Sequence, residues 1–319
     1  MGMSKSKSKR ETGAHYCHVF IPSYHRPHSL RTVSYLKKIG WDMERVVVFV
    51  DDEADDVEEY REVARLEGFT LHVFGMEEAR KRYDYVHRAS VSRRSAGQAR
   101  NTFQDYARER GIDFYCVMDD DTVYFGNFIT RRHLRNTGLV WKCFAMMEEL
   151  MRRRHIGVMG YPQTGDFIGG YKEQLFMRKV MNTTFYLLPY IYRGERGVQD
   201  DDTSLFTGIM NEGLFSWTAV HAIALKQLQS ATQAGGLTDL YNECKLLNKA
   251  LVTPIQFPSA IFGEKQVMNG GRLHHRIVYK YLGPVVIKGD PERDNIAWDK
   301  WKEDYPFTNE NKIYDHKKE

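Results

Sequence analysis

The chain contains few cysteines and no long apolar segment. Its four cysteines, at positions 17, 116, 143 and 244, are far apart and form no CxxC pair, and three of them lie in apolar runs. This pattern predicts buried thiols in a reducing compartment. No apolar run approaches the roughly 20 residues that a membrane helix needs, and the first residues lack the apolar stretch of a signal peptide. We therefore expect a cytoplasmic protein in which the basic, serine-rich residues 1–15 form a disordered tail.

A strong net charge is also missing. The formal charge is +4 at pH 7 over 319 residues, which is too small to imply nucleic-acid binding by itself. The charges are instead grouped by sign. Acidic runs lie at 51–59, 119–121 and 200–202, and basic runs lie at 5–10, 80–94, 131–135 and 152–154. This alternation is typical of a protein that holds a metal ion in one place and phosphate groups in others.

Apolar strand patterns alternate with helix patterns over the first 125 residues. The predicted strands are 18–21, 46–50, 71–74 and 114–118, and the predicted helices are 29–40 (capped by Ser29), 54–68 and 96–110. Such alternation predicts a parallel sheet with right-handed crossovers. Ligands of open parallel sheets bind beyond the carboxyl ends of the strands. The segments IPSYHRP (21–27), 51–52 and 119–121 all follow predicted strands, so we expect them to meet at that edge.

The second half of the chain has a less regular pattern. Apolar residues at positions 140, 144, 147 and 151 predict one buried face of a helix over 140–155. A strand is predicted at 182–188, and helices are predicted at 205–210 and 220–228. The absence of an internal repeat or a linker indicates a single domain built from two unequal halves, 16–125 and 126–319.

The segment CVMDDDTVYF (116–125) places Asp119, Asp120 and Asp121 directly after a hydrophobic strand. Adjacent like charges repel one another, and a cation among them removes that cost. Carboxylates suit Mg²⁺ or Mn²⁺, which take oxygen ligands and keep open positions for substrate phosphates. The alternative is an acidic loop or a helix cap, which the preceding apolar strand disfavours.

The segment SAGQARN (95–101) opens the helix that leads into this strand. Arg100 and Asn101 lie near the predicted N-terminus of that helix, where they are suited to hydrogen-bond sugar hydroxyls and a diphosphate. The alternative is a surface helix with a salt-bridged arginine. The short distance in sequence between this segment and the three aspartates favours a shared site.

The order of these segments resembles a known family. A first strand ending in IPSYHRP, a second ending in aspartate, then GQARN and a hydrophobic strand into DDD are similar to GT-A glycosyltransferases of the family-2-like type. Within that group, the chain most resembles the TET- and base-J-associated DNA glycosyltransferases of bacteriophages, over residues 17–125. The resemblance implies a Rossmann-like, doubly wound, mostly parallel sheet. Residues 16–125 would bind the nucleotide sugar, and 126–319 would form an irregular α/β half for the acceptor and the catalytic base.

The resemblance also implies roles for individual residues. Asp119 and Asp121 would bind Mn²⁺ or Mg²⁺ on the donor diphosphate, with His274 or His275 as a late metal ligand. The implied donor-binding residues are Pro22, Ser23, Tyr24, Arg26, Asp51, Asp52, Arg100, Asn101 and Asp120. The acidic segment GVQDDDTSLF (197–206) would supply the base of an inverting transfer, with Asp201 favoured over Asp202. The alternative for this segment is a helix N-cap cluster.

The implied reaction moves a sugar from a UDP-sugar to the hydroxyl of a hydroxymethylated pyrimidine in DNA. 5-Hydroxymethylcytosine is favoured, glucose and arabinose are both open, and a phage-encoded enzyme would act in the host cytoplasm. The basic runs would then track DNA phosphates, or lie on solvated helix faces. The alternatives are a GT-A glycosyltransferase acting on protein or polysaccharide, and a non-enzymatic DNA-binding protein. A nucleotidyltransferase is disfavoured, because PSYHRPHS lacks a Gly-rich phosphate loop.

Overall fold

A computed structural model describes residues 17–83, 96–127, 137–154, 156–161, 175–176, 180, 183–188, 201–211, 216–218, 223–227, 252–258, 266–269 and 272–275. The strands are β1 (His18–Pro22), β2 (Val46–Asp51), β3 (Thr70–Phe74), β4 (Phe114–Val117), β5 (Thr122–Asn127), β6 (Val158–Gly160), β7 (Leu175–Phe176), β8 (Thr184–Leu187), β9 (Ser216–Thr218), β10 (Ile223–Gln227), β11 (Gln266–Asn269) and β12 (Arg272–His275). The main helices are α1 (Arg31–Lys38), α2 (Val57–Glu67), α3 (Met76–Arg82), α4 (Ala96–Glu109), α5 (Thr137–Arg154) and α6 (Asp201–Asn211).

Eight of these strands form one mixed sheet in the order β3-β2-β1-β4-β8-β6-β9-β7. The strands β3, β2, β1 and β4 run parallel to one another, and β6 runs parallel to β9. The strand β8 is antiparallel to both β4 and β6, and β7 is antiparallel to β9. Because β4 pairs directly with β8, the sheet continues across the predicted halves 16–125 and 126–319. The boundary between those halves falls inside β5.

Helices cover both faces of this sheet. In β1, Val19 and Ile21 face one side and Phe20 faces the other, because successive side chains of a strand alternate. Val19 and Ile21 pack in a core with residues of α1, α2 and α5, whereas Phe20 packs in a second core with residues of α3, α4 and α6. Strands buried on both faces have continuous apolar sequences, as β2 does. The predicted doubly wound, mostly parallel sheet is confirmed.

The predicted apolar face of α5 is also confirmed. Its residues at positions 140, 144, 147 and 151 are each at most 1% exposed. Cys17 and Cys116 are buried free thiols, as expected, and burial raises the pKa of both. Among the described helices, none has both the length and the apolarity needed to cross a bilayer. The predicted tail 1–15 and the basic run 131–135 lie outside the described residues.

Two predictions of local structure are wrong. The predicted helix at 220–228 contains the strand β10, which pairs antiparallel with β5. Strand pairing of this kind outweighs local helix propensity. Ser29 does not cap α1, because it lies in the 3-10 turn Pro27–Ser29 and α1 begins two residues later. The N–H of Thr32, in the first turn of α1, instead donates to the carbonyl oxygen of Asp120 at 3.1 Å.

Candidate active site

The carboxyl ends of β1, β2 and β4 lie side by side at one edge of the sheet, because these strands are parallel neighbours. The segments 22–26, 51–56 and 119–121 continue from these ends. This edge is where open parallel sheets bind their ligands. The predicted site residues on the three segments are therefore close together in space.

Asp120 is the buried centre of this region. It is 5% exposed, and each of its carboxylate oxygens accepts a hydrogen bond from the protein. Oδ1 accepts from Nη1 of Arg26 at 2.8 Å, and Oδ2 accepts from Oγ of Ser23 at 2.7 Å. Burial raises the pKa of Asp120, while the charge of Arg26 and the hydroxyl of Ser23 oppose that change. Ser23, Arg26 and Asp120, three of the residues predicted to contact the donor, are thus brought together and bind one another.

Tyr60 of α2 completes this buried network. Its hydroxyl oxygen accepts from the backbone N–H of Arg26 at 2.9 Å and lies 2.8 Å from Oγ of Ser23. Because Ser23 uses its proton for Asp120, the Tyr60 hydroxyl donates to Ser23. The side chain of Tyr60 is fully buried, and burial raises its pKa. Sequence analysis missed Tyr60, because a tyrosine on a helix gives no signal of a contact 37 positions away.

The backbone of the three aspartates is fixed by Thr32. The Thr32 hydroxyl donates to the carbonyl oxygen of Asp119 and accepts from the N–H of Thr122 at 3.0 Å. The side chain of Thr32 is fully buried. One hydroxyl therefore closes the turn between β4 and β5, and the first turn of α1 holds the carboxylates in place. Sequence analysis also missed this residue.

Arg100 of α4 binds the first aspartate. Its Nη2 donates to Oδ1 of Asp119 at 3.0 Å, and the two side chains are 13% and 31% exposed. The structure therefore brings the segment SAGQARN and the three aspartates together, as expected. Asn101, the next residue on α4, is buried. The Arg100 guanidinium supplies a positive charge at the more open side of the carboxylate cluster.

Asp121 differs from its two neighbours. It is 7% exposed, and its Oδ1 has no hydrogen-bond partner among the described residues. Burial raises the pKa of the Asp121 carboxyl to about 7, with a further contribution from the negative charges of Asp119 and Asp120. A buried acceptor without a donor carries a desolvation cost. The oxygen is suited to a cation, which would remove both that cost and the repulsion.

The two aspartates after β2 have different surroundings. Asp51 is 5% exposed, and its Oδ1 accepts from the N–H of Glu53 at 3.1 Å. Oδ1 of Asp52 accepts from the N–H of Met76 at 2.8 Å. This bond stabilises α3, because the N–H groups of a first helical turn lack intrahelical acceptors. A role of either aspartate in contacting the base or ribose stays a prediction, as does that of Pro22, which ends β1 half-buried.

His25, Asp55 and Asp56 form a group that sequence analysis did not identify. Nδ1 of His25 lies 3.2 Å from Oδ1 of Asp55 and 3.4 Å from Oδ2 of Asp56. The His25 backbone is left-handed, with φ of 54°, and its ring packs against Tyr24 at 3.9 Å between centroids. The three ligand atoms are close enough to hold a metal ion, but Asp55 is 88% exposed. The available sequence signal was a histidine after β1 and an acidic pair after β2.

The acidic segment predicted to supply the base opens a helix. The helix α6 begins at Asp201, and Oδ1 of Asp202 accepts from the N–H of Thr203 at 2.8 Å. The Asp202 carboxylate thus stabilises the helix N-terminus, as the alternative interpretation expected of at least one aspartate. His274 and His275 end β12, which pairs with β11 in a separate two-stranded sheet. Their assignment as metal ligands stays a prediction.

The described members of the basic runs pair with carboxylates. Arg80 donates two hydrogen bonds to Glu53, at 2.6 and 2.9 Å. Arg152 does the same to Asp113, at 2.7 and 2.9 Å, and this interaction lowers the pKa of Asp113. The other pairs in these runs are Lys81–Glu77, Arg82–Asp105 and Arg153–Glu149. Within 80–83 and 152–153, the basic side chains therefore form ion pairs with carboxylates of the same chain. These pairs weaken the prediction that the basic runs contact DNA phosphates.

Comparisons with known proteins give one family and several structures. The family described as TET-Associated Glycosyltransferase matches residues 17–236. A mannosyltransferase from Pyrobaculum calidifontis, solved with GDP-Man and Mn²⁺, is 13% identical with a TM-score of 0.44; the match covers 66% of this chain and 56% of that one. Glucosyl-3-phosphoglycerate synthase from Mycobacterium tuberculosis, solved with Mn²⁺ and UDP-glucose, is 10% identical with a TM-score of 0.44, covering 89% and 92%. The comparison with curated proteins gives no match.

The role of Thr32 can be tested by removing its hydroxyl. Thr32→Val leaves the N–H of Thr122 without its acceptor, and we predict a loss of about 1–3 kcal/mol in the free energy of unfolding. Urea denaturation measures this loss. Thr32→Ser retains the hydroxyl and is the matched control, which should keep most of the stability. Equal losses in the two variants would contradict the bridging role.

Proposed function

The chain belongs to the TET-associated glycosyltransferase family, and we propose that it transfers a sugar from a UDP-sugar to a hydroxymethylated pyrimidine in DNA. 5-Hydroxymethylcytosine is the favoured acceptor, and Mn²⁺ or Mg²⁺ is the proposed cofactor. The family match over 17–236 includes the main sheet, the three aspartates and the start of α6. Glycosyl transfer itself follows from family membership, the donor and the metal are inferred from the site, and the acceptor is inferred from the family resemblance.

The observation that carries the proposal is the unequal compensation of the three carboxylates. Asp120 is paired with Arg26 and Asp119 with Arg100, whereas Oδ1 of Asp121 has no partner among the described residues. Carboxylate oxygens at a strand end fit a hard divalent cation. Asp119 and Asp121 would hold it, and the bound ion would offset the charge developing on the leaving nucleoside diphosphate.

The surroundings of these carboxylates support a diphosphate-linked donor. The guanidinium of Arg100 is held at Asp119, where it would form charge-assisted hydrogen bonds to a diphosphate oxygen. Asn101 would assist from the same helix. Tyr24, half-buried after β1, would border the nucleotide, and Asp51 after β2 would contact the base or ribose. These positions agree with the general location of nucleotide sites in open parallel sheets.

Asp201 is the proposed general base. In an inverting transfer, a carboxylate takes the proton of the acceptor hydroxyl as the hydroxyl oxygen attacks the anomeric carbon. The new carbon–oxygen bond forms as the bond from that carbon to the diphosphate breaks, and the electron pair leaves with the diphosphate. Because Oδ1 of Asp202 is used by the N–H of Thr203, Asp201 is favoured over its neighbour.

A glycosyltransferase acting on protein or polysaccharide is the second candidate. The ion pairs of Arg80 and Arg152 favour it, because these charges are less available to DNA phosphates. A non-enzymatic DNA-binding protein is disfavoured by family membership. The two enzymatic candidates share the donor and metal site, so they differ only in the acceptor.

The metal site can be tested by binding. Asp121→Asn removes a negative ligand, and we predict at least about tenfold weaker Mn²⁺ binding in the presence of UDP, measured by calorimetry or by the electron paramagnetic resonance of Mn²⁺. Asp55→Asn is the matched control, because it removes an aspartate from the group around His25. If Asp121→Asn binds Mn²⁺ normally and Asp55→Asn binds it weakly, the metal site would be the group of His25, Asp55 and Asp56 instead.

The acceptor can be identified by mass. DNA containing 5-hydroxymethylcytosine, 5-hydroxymethyluracil or unmodified bases is incubated with UDP-glucose, UDP-arabinose or GDP-mannose plus Mn²⁺, digested and analysed as nucleosides. We expect 5-hydroxymethylcytosine to gain the mass of one hexose or pentose from a UDP-sugar, and unmodified DNA to gain none. No gain on any DNA, together with transfer to a protein or polysaccharide acceptor incubated in parallel, would support the second candidate instead.

The base assignment gives a separate prediction. Asp201→Asn should retain the binding of UDP and Mn²⁺ and lower kcat by about 10²–10⁴-fold, the usual contribution of general base catalysis. Asp202→Asn is the control, with a smaller loss in kcat and some loss of helix stability. The kcat values are measured in the steady state at saturating substrate, on the acceptor found above, and single-turnover rates show whether the chemical step is the one affected. A fully active Asp201→Asn variant would refute the assignment.

A further inference from the structure

We propose that Tyr60 is a positioning residue for the carboxylate cluster, and that it acts through Asp120, which anchors the cluster and does not contact the donor. This inference rests on the proposed donor and metal site and deepens it. It also changes the interpretation of Ser23 and Arg26, which the sequence assigned to donor binding. In the structure, Ser23 joins Tyr60 to Asp120 through its side chain, whereas Arg26 contacts Tyr60 through its backbone N–H and Asp120 through its guanidinium.

The hydrogen bonds of this network form two paths that both begin at Arg26 and end at the carboxylate of Asp120. The N–H of Arg26 donates to the hydroxyl oxygen of Tyr60 at 2.9 Å, and the Tyr60 hydroxyl donates to Ser23 at 2.8 Å. Ser23 donates to Oδ2 of Asp120 at 2.7 Å, and Nη1 of Arg26 donates to Oδ1 at 2.8 Å. The network is therefore a closed ring that joins α2, the loop after β1 and the turn after β4.

The ring has little contact with solvent. Ser23, Arg26 and Asp120 are 9%, 8% and 5% exposed, and Tyr60 is 0% exposed. Because both carboxylate oxygens of Asp120 already accept hydrogen bonds from Ser23 and Arg26, a donor contact to Asp120 would compete with a buried charged pair, whose disruption is costly. We therefore assign to Asp120 a structural role in the site, without a direct contact to the donor.

Anchoring Asp120 determines where its neighbours point. The carbonyl oxygen of Asp120 accepts from the N–H of Thr32, so both its backbone and its side chain are fixed. In a tight turn, a fixed central residue sets the directions of Asp119 and Asp121. The charge of Arg26 also offsets that of Asp120, which reduces the repulsion acting on the two proposed metal ligands.

Tyr60→Phe tests this role, because it keeps the buried ring and removes only the hydroxyl. We expect the Kd for Mn²⁺, measured with UDP present, to rise about five- to tenfold, as for the loss of one buried hydrogen bond. The electron paramagnetic resonance spectrum of bound Mn²⁺ should also change, whereas the KM for the acceptor should stay the same. Tyr35→Phe is the matched control. Its hydroxyl accepts a 3.4 Å bond from the N–H of Phe125, and its Mn²⁺ affinity should equal that of the wild type.

A double-mutant cycle with Ser23→Ala tests the route from Tyr60 to Asp120. If Tyr60 acts through Ser23, the double variant binds Mn²⁺ about as well as the weaker single variant, whereas independent effects would add. Additive losses, or a wild-type Kd and spectrum in Tyr60→Phe, would overturn the inference. So would equal shifts of Kd, acceptor KM and unfolding midpoint in both tyrosine variants, because these indicate a general structural loss.

These readouts also separate this inference from the proposed acceptor. Binding of Mn²⁺ and UDP is measured without sugar transfer. A wild-type protein that modifies no DNA would therefore refute the proposal that DNA is the acceptor, and the role of Tyr60 would be unaffected. If the wild-type protein binds Mn²⁺ and UDP and the Tyr60→Phe variant binds them equally well, the positioning role of Tyr60 would be refuted, and the proposed acceptor would be unaffected. A wild-type protein that binds no Mn²⁺ would overturn the metal site and this role together.

Discussion

Three consecutive carboxylates in a largely buried turn impose the main constraint on this structure. In a low-dielectric environment, neighbouring negative charges repel strongly and each loses its hydration. The three carboxylates differ in how their charge is compensated. Arg26 compensates Asp120 from within the protein, and Arg100 compensates Asp119 at the more exposed side. Asp121 forms no ion pair with a described residue, although the nearby charge of Arg26 acts to lower the pKa of its carboxyl.

Several elements of the fold converge to support that arrangement. The loop after β1 supplies Ser23 and Arg26, α1 supplies Thr32, α2 supplies Tyr60 and α4 supplies Arg100. These residues reach the same turn from both faces of the sheet, because β1 and β4 are adjacent and α1 and α2 pack on one face while α4 packs on the other. A doubly wound sheet is suited to such a site, since the ends of its central strands are accessible to helices and loops from both layers.

The sequence predicted the parts of this arrangement that depend on local patterns. Continuous apolar runs identified β1, β2 and β4, and the aspartates at the ends of β2 and β4 identified the edge where a site forms. The partners within the site were less accessible. Tyr60 and Thr32 are ordinary residues of amphipathic helices, and their contacts with Ser23 and Asp119 depend on how the helices pack. For the same reason, the sequence placed Ser23, Arg26 and Asp120 at the site but could not show that they bind one another.

The pairing of β5 with β10 has a consequence for the turn that carries the three aspartates. The register shifts between Lys226 and Gln227, so Val123 has no direct partner while Thr122 and Tyr124 do. Side chains of a strand alternate with a period of two, and an unpaired residue resets that phase. The inward and outward positions of β5 are thereby uncoupled from those of the preceding turn. A change in how β5 pairs with β10 can therefore occur without reorienting the aspartates of the preceding turn.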